Sequence, residues 1–200
     1  MLTRRALLAY SVASAALLAA GPSAWAQGGG DATGFIVSLG NAMSAVVNGP
    51  GSLDEKRRRL APLIEESVDI ANIARFCLGR FWRTASPEQQ ARFVQLFHAV
   101  LINNISSKMG EFQGISFTPT TTSQREGESV VGTVIRRPNQ QPNNVQWVVG
   151  TSTGRPKIVD VVAEGTSLRL TQRADYAAYL SRNNNNVDAL LAAMRQQAGA

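Results

Sequence analysis

The 200-residue sequence predicts an α+β fold in which helices cover one face of an antiparallel sheet. Apolar residues recur with helical spacing before Gly114 and again after Gly165. Between these glycines they alternate with polar residues in short stretches, as half-buried strands do. Because the links between these stretches are short, we expect four strands in an antiparallel meander. Helices before and after one sheet define the α+β class.

The N-terminus has the three parts of a secretory signal peptide. Arg4 and Arg5 precede an apolar run at residues 6–20, and the AWA sequence of residues 24–26 supplies the small residues of a cleavage site. The apolar run is short for a membrane span. The paired arginines also fit a twin-arginine signal, so the Sec and Tat routes both stay open. We expect residues 1–26 to be removed and the mature protein to be soluble and to lie outside the cytoplasm.

The predicted single domain covers residues 34–197. The Gly-rich segment before it, residues 27–33, is expected to be a flexible leader. From Phe35 onward, apolar residues follow one helical stripe and predict a first helix. The NGPG sequence at residues 48–51 should end that helix.

Two shorter helices are expected next. Ser52 and Glu55 form a capping-box pair, in which each side chain satisfies a free amide at a helix start. Pro62 lacks a backbone donor, so we expect it to kink or break this second helix. A third helix is predicted over residues 69–78, with Gly79 placed to end it.

The sequence SPEQ at residues 86–89 is the clearest helix start in the chain. Ser86 can cap, Pro87 fits the first helical position, and Gln89 completes a capping box. The helix that follows has a long apolar face, made of Phe93, Leu96, Phe97, Val100, Leu101, Ile105 and Met109. We expect this face to pack on the sheet.

The strands and the last helices are predicted from changes in the spacing of the apolar residues. The alternating apolar positions of the strands are Ile115 and Phe117, then Val131, Thr133 and Ile135, then Val145, Trp147 and Val149, and finally residues 157–163. After Gly165, helical spacing returns with Tyr176 and Leu180. A last helix is predicted from Val187, after a polar linker at residues 183–186.

Catalytic groupings are scarce in the sequence. His98 is the only histidine, so one chain cannot supply two histidines to a metal. Cys77 is the only cysteine, which excludes an internal disulfide and favours a buried core residue. Asp160 and Glu164 could form an acid pair, but an ion pair or a hydrogen-bond anchor at the strand end is the simpler interpretation. We expect no catalytic residue, no metal and no enzymatic activity.

The net charge limits the classes of partner that the sequence predicts. The formal net charge is +6, and the basic residues are scattered except for the run at residues 56–59. In an exported protein this charge favours acidic partners or anionic lipid headgroups over nucleic acid. The many bulky apolar residues then allow two interpretations, a filled core or the wall of a dry ligand cavity. Composition alone does not decide between them.

Two segments carry a resemblance. The sequence LGRFWR at residues 78–83 is followed by SPEQ at residues 86–89 and by Phe93 and Phe97. This succession resembles the MlaC family of periplasmic phospholipid-binding proteins, also called the toluene-tolerance family. Its members have a Leu-Gly-x-x-Trp corner before a Ser-x-x-Gln helix start and spaced phenylalanines.

The second matching segment is IVDVVAEGTSL at residues 158–168, followed by Arg173 and by Tyr176 where the family has Phe. The signal peptide, the meander and the terminal helices agree with the family in order and length. The chain departs from the pattern at residues 155–157, which lack a frequent Trp, and at residues 103–104, which are Asn where Tyr is frequent. A hopanoid-associated branch shares the pattern, so the identity of the lipid stays open.

The resemblance implies a monomeric lipid carrier with an apolar cavity between sheet and helices. Its ligand would be a phospholipid, with no other cofactor. Its partners would be an inner-membrane ABC transporter with an MCE-domain component and an outer-membrane lipoprotein complex, in a system that maintains outer-membrane lipid asymmetry. The residues expected to contact acyl chains are Phe97, Leu101, Ile105, Val131, Thr133, Ile135, Trp147, Val149, Val161 and Tyr176.

Arg80, Arg83 and Arg136 are expected to contact a lipid headgroup or a partner protein. Three alternatives remain beside the phospholipid carrier. They are a carrier of hopanoid or another lipid on the same fold, a non-catalytic periplasmic adaptor with a filled core, and a small-ligand enzyme.

Overall fold

The computed structural model describes residues 27–138 and 140–199. Within these ranges the helices are α1 (Gln27–Asn48), α2 (Leu53–Ser67), α3 (Ile70–Leu78), α4 (Pro87–Ser107), α5 (Leu168–Arg182) and α6 (Val187–Gln197). Two short 3-10 helices lie at Gly79–Arg83 and Met109–Phe112. The strands are β1 (Ser116–Arg125), β2 (Glu128–Arg136), β3 (Asn143–Gly150), β4 (Lys157–Ala163) and β5 (Thr166–Ser167). The predicted signal peptide lies outside the described residues and stays a prediction.

The predicted α+β class and antiparallel meander are confirmed. All neighbouring strands are antiparallel, in the order β1-β2-β3-β4-β5. The fifth strand was not expected, because it consists of two residues that pair with the end of β4 across a tight turn. Two irregularities interrupt the ladders, one in β1 between Pro119 and Thr122 and one where β3 meets β4.

The helix caps were predicted correctly. Ser86 Oγ accepts from the Gln89 amide at 3.2 Å, and Gln89 Oε1 accepts from the Ser86 amide at 3.0 Å. Ser52 and Glu55 make the same reciprocal pair at the start of α2. Asp69 caps α3, and Gly79 ends it with a φ of 59°, in the left-handed region that favours glycine.

Two predictions about the early helices were wrong. Helix α1 begins at Gln27, so residues 27–33 belong to it rather than to a flexible leader. Burial of Ala32 and Ile36 against the sheet stabilises this early part of the helix. Helix α2 continues through Pro62, so the break that was one of the two expected outcomes does not occur. Leu60 and Ile64 are buried on either side of the proline and hold the helix in place despite the lost backbone bond.

The helix that covers the sheet is α1, and the prediction that the long helix packs there was wrong. Residues of α1, namely Ala32, Ile36 and Leu39, form one buried cluster with Val131, Val149 and Ile158 of the sheet. We call it the sheet–α1 cluster. Helix α4 instead packs against α6, α3 and α2.

Helical residues form two further clusters. The helical cluster joins α3, α4, α5 and α6 around Phe93 and Leu180, both of which are fully buried. The third cluster joins the end of α1 to α2, the end of α4 and Met109. Within the described ranges, no helix combines the length and the apolar character needed to cross a bilayer.

Candidate functional site

One face of the sheet gathers six of the residues predicted to contact acyl chains. Val131 pairs with Trp147, which pairs in turn with Val161. Directly paired residues of an antiparallel sheet project from the same face, and so do residues two apart on one strand. The six residues on this face are Val131, Thr133, Ile135, Trp147, Val149 and Val161. Phe117 of β1 extends the face by pairing with Ile135.

The polar atoms on this sheet face bond to each other. Trp147 Nε1 donates to Thr133 Oγ1 at 2.9 Å, and the Thr133 hydroxyl donates to the Val145 carbonyl at 3.2 Å. A buried polar group whose hydrogen bonds are made does not need water. The sheet face is therefore an apolar surface, although it contains a hydroxyl and an indole.

Helix α1 lies directly on this face. Phe35 and Met43 pack against the sheet–α1 cluster beside the buried Ile36 and Leu39. At Gly40 the helix backbone approaches Phe117 so closely that an added Cβ would lie 3.2 Å from the ring. Thr33 Oγ1 lies 2.7 Å from Thr122 Oγ1 and joins the helix to β1. The side chains of α1 therefore occupy the space over the sheet.

The other four predicted chain-contacting residues lie elsewhere. Phe97 and Tyr176 belong to the helical cluster, where the ring of Phe93 lies 6.2 Å from Phe97 and 5.5 Å from Tyr176. Leu101 and Ile105 are half-buried in the third cluster. The structure thus does not bring these four residues to the sheet face. Sequence analysis missed the residues of α1, whose apolar stripe was recognised but not assigned to the sheet.

Arg80 and Arg83 line a concave surface site that we call the arginine site. It has a volume of about 560 Å³ and opens between α3, the 3-10 helix after it and α5. Its lining residues are Asn72, Arg75, Phe76, Gly79, Arg80, Trp82, Arg83 and Arg173. Arg136 does not line this site, because it is exposed at the far end of β2, opposite Ser116.

A second concave site, of about 600 Å³, lies between α4, α5 and α6. Tyr176 and Tyr179 line it together with Met194, and its rim includes Asp175 and Arg182. Burial raises the pKa of the Tyr176 hydroxyl well above its usual range, with smaller contributions from Cys77 and Asp175. The hydroxyl therefore stays neutral and is poorly suited to act as a base.

The other candidate reactive groups have structural roles. Cys77 is buried, as predicted, and burial is the main cause that raises the pKa of its thiol to about 12. Asp160 is the predicted hydrogen-bond anchor, since it accepts from Ser167 Oγ at 2.5 Å and from the Arg169 amide at 3.1 Å. Glu164 is exposed in the turn beyond the strand. In the part of the chain that the structure describes, no group of three or more His, Cys, Asp or Glu residues could hold a metal ion.

The architecture and the apolar sheet face define a class of helix-covered, antiparallel-sheet proteins. A solved structure of this fold is that of a phospholipid-binding protein from Ralstonia solanacearum in complex with a phospholipid. It is 20% identical to this chain, with a TM-score of 0.75, and the match covers 84% of this chain and 97% of that one. The model of the MlaC protein family matches residues 40–196. The chain therefore belongs to the MlaC family. No curated protein matches it.

Proposed function

We propose that the protein is a phospholipid carrier that encloses acyl chains between its sheet and helix α1. The observation that carries this proposal is the apolar sheet face, whose hydroxyl and indole bond internally and which helix α1 covers. Membership of the MlaC family supports it, as does the phospholipid bound to the structural neighbour. We propose that the six residues of the sheet face, with Phe117, contact the chains.

Carrying a lipid requires enclosure rather than chemistry. Two acyl chains with roughly 30 methylenes cost on the order of 25 kcal/mol to expose to water, at about 0.8 kcal/mol each. Unassisted passage through an aqueous gap is therefore negligible. A protein that keeps the chains dry removes this barrier without any catalytic residue, so we propose a binding function and not an enzymatic one.

The carrier must open before it can load. The side chains of α1 occupy the space over the sheet, so the acyl chains have to displace them. The backbone hydrogen bonds of the sheet run between strands, and those of α1 run within the helix. Helix α1 can therefore move away from the sheet without breaking either set. We propose that this movement admits the lipid.

The N-terminal sequence and the family support a proposal about where the carrier works. The signal-peptide pattern of residues 1–26 supports export to the periplasm, by the Sec or the Tat route. We propose that a monomer receives or delivers phospholipid at an inner-membrane ABC transporter with an MCE-domain component. The other end of the route would be an outer-membrane lipoprotein complex, and the process would serve outer-membrane lipid asymmetry.

Native mass spectrometry of the protein purified from bacteria tests the proposal. We expect a population whose mass exceeds that of the chain by one phospholipid, which collisional activation releases intact. A bound hopanoid in place of the phospholipid would change the proposed ligand but would still support a lipid carrier. A lipid-free protein that also takes up no phospholipid from added vesicles would contradict the carrier and favour an adaptor.

A further inference from the structure

The arginine site is a concentration of positive charge without counter-charge. Four arginines line it, namely Arg75, Arg80, Arg83 and Arg173, and all four are exposed. Among the described residues, the ion pairs formed are those of His98 with Glu65 and of Arg169 with Asp160. Among the residues that the structure describes, no carboxylate therefore lies within ion-pair distance of the four guanidinium groups, and none of these groups makes a hydrogen bond. Their N–H donors face solvent unused.

Aromatic rings hold three of these guanidinium groups in place. Arg80 lies 4.8 Å from the centre of the Phe81 ring, and Arg173 lies 4.9 Å from that of Phe76. Arg75 lies 5.9 Å from the centre of the Trp82 ring. Stacking on an aromatic face restrains a guanidinium while leaving the N–H groups at its edge available. The site is thus partly organised before any ligand arrives.

Gly79 has no side chain and so leaves room for Arg173 in the arginine site. Its φ of 59° disfavours any residue with a side chain. A Cβ at this position would also lie 3.1 Å from Arg173 Nε. The turn after α3 therefore leaves room for the guanidinium from α5, and the arginines of three elements, α3, the 3-10 helix and α5, line one concavity.

We propose that the arginine site binds a phosphate group, either a free phosphate ester or the phosphodiester of a lipid headgroup at a membrane surface. Several guanidinium groups around one concavity repel each other until an anion enters. Phosphate offers several acceptor oxygens in the geometry that paired guanidinium N–H groups match. The site is made by α3, the adjoining 3-10 helix and α5, not by α1 and the sheet face. The proposal therefore does not depend on the carrier function.

The test compares two double variants of the full-length exported protein that lose the same charge. Arg80→Gln with Arg83→Gln removes two arginines of the site, whereas Arg125→Gln with Arg155→Gln removes two exposed arginines outside it. Glycerol phosphate titrated in a calorimeter reports on free phosphate esters. Flotation with vesicles of phosphatidylglycerol and phosphatidylcholine reports on headgroups. Circular dichroism confirms that all the proteins are folded.

We expect the original protein to bind at least one probe, and the site variant to bind it about tenfold more weakly, because charge-assisted hydrogen bonds are lost. The control variant should stay within about twofold of the original, since distant exposed charges contribute little. Binding to glycerol phosphate identifies a free ester as a sufficient ligand, and binding to vesicles alone identifies the headgroup. Equal losses in both variants, binding to neither probe, or tighter binding of a glutamate-rich peptide than of either probe would each overturn the proposal.

Discussion

At the scale of single residues, Thr133 shows how a polar group can lie on an apolar face. Its hydroxyl accepts from Trp147 Nε1 and donates to the Val145 carbonyl. We expect Thr133→Val to lower the free energy of unfolding by about 1–2 kcal/mol, because the indole N–H and the carbonyl lose their partner. Urea denaturation measures this loss. Thr133→Ser keeps the hydroxyl and should cost less; a Thr133→Val protein as stable as the original would contradict the contribution of these hydrogen bonds.

Cys77 gives the protein a pH dependence of known sign. Burial raises the pKa of its thiol from 9.0 to about 12, with a smaller contribution from Asp160, while Arg169 and Arg173 act in the opposite direction. Above pH 9 the unfolded chain loses this proton and the folded chain keeps it, so stability falls as pH rises. We expect the free energy of unfolding to drop by about 1 kcal/mol between pH 9 and pH 10 from this group.

Cys77→Ala is the matched control for this pH effect. The buried Tyr176 acts in the same direction above its own ordinary pKa of 10.0, so the comparison belongs at lower pH. The alanine variant is expected to lose most of the slope between pH 9 and pH 10, in denaturation curves recorded at several pH values. An unchanged slope would show that the thiol is not its source.

At the scale of elements, α1 is the part of the fold that we propose moves when lipid enters. Thr33 Oγ1 and Thr122 Oγ1 are 2.7 Å apart, so cysteines at both positions fall within disulfide reach. We expect the oxidised Thr33→Cys, Thr122→Cys protein to take up phospholipid from vesicles at least about tenfold more slowly, because the helix cannot leave the sheet. The reductant dithiothreitol should restore the rate.

Each single-cysteine variant, treated with the same oxidant, controls for the loss of the threonine. Cys77 is not expected to interfere, since it is buried and its thiol stays protonated. Uptake at the original rate with the disulfide intact would mean that lipid enters without separating α1 from β1.

The elements also show what the sequence could and could not predict. The caps at Ser52 and Ser86 and the alternation of Val131, Thr133 and Ile135 were predictable, because each depends on residues a few positions apart. The helix that packs against the sheet was not predictable in this way. The stripes that begin at Phe35 and at Phe93 are both apolar, and only long-range packing decides which one covers the strands. Phe97 and Tyr176 were therefore expected beside the sheet face, whereas they lie in the helical cluster.

At the scale of the whole molecule, the apolar interior is divided into the sheet–α1 cluster, the helical cluster and the third cluster. Met43 and Leu63 pack against both the sheet–α1 cluster and the third cluster, so the two clusters are contiguous. If α1 moves as proposed, the half-buried Leu101 and Ile105 of the third cluster would therefore lie near the space that it leaves. With this arrangement, the helical cluster could stay packed while acyl chains displace the side chains of α1 from the sheet face.

A carrier with this organisation should work as a free monomer that crosses the aqueous space by itself. Donor vesicles with a fluorescent phospholipid and unlabelled acceptor vesicles can be kept apart by a filter that passes protein but not vesicles. We expect transfer to rise in proportion to protein concentration, since each molecule encloses its own lipid and removes the cost of exposing the chains. The oxidised Thr33→Cys, Thr122→Cys protein should transfer little, and its reduced form should recover. Transfer that occurs only when vesicles can collide would instead indicate a protein that bridges membranes without enclosing lipid.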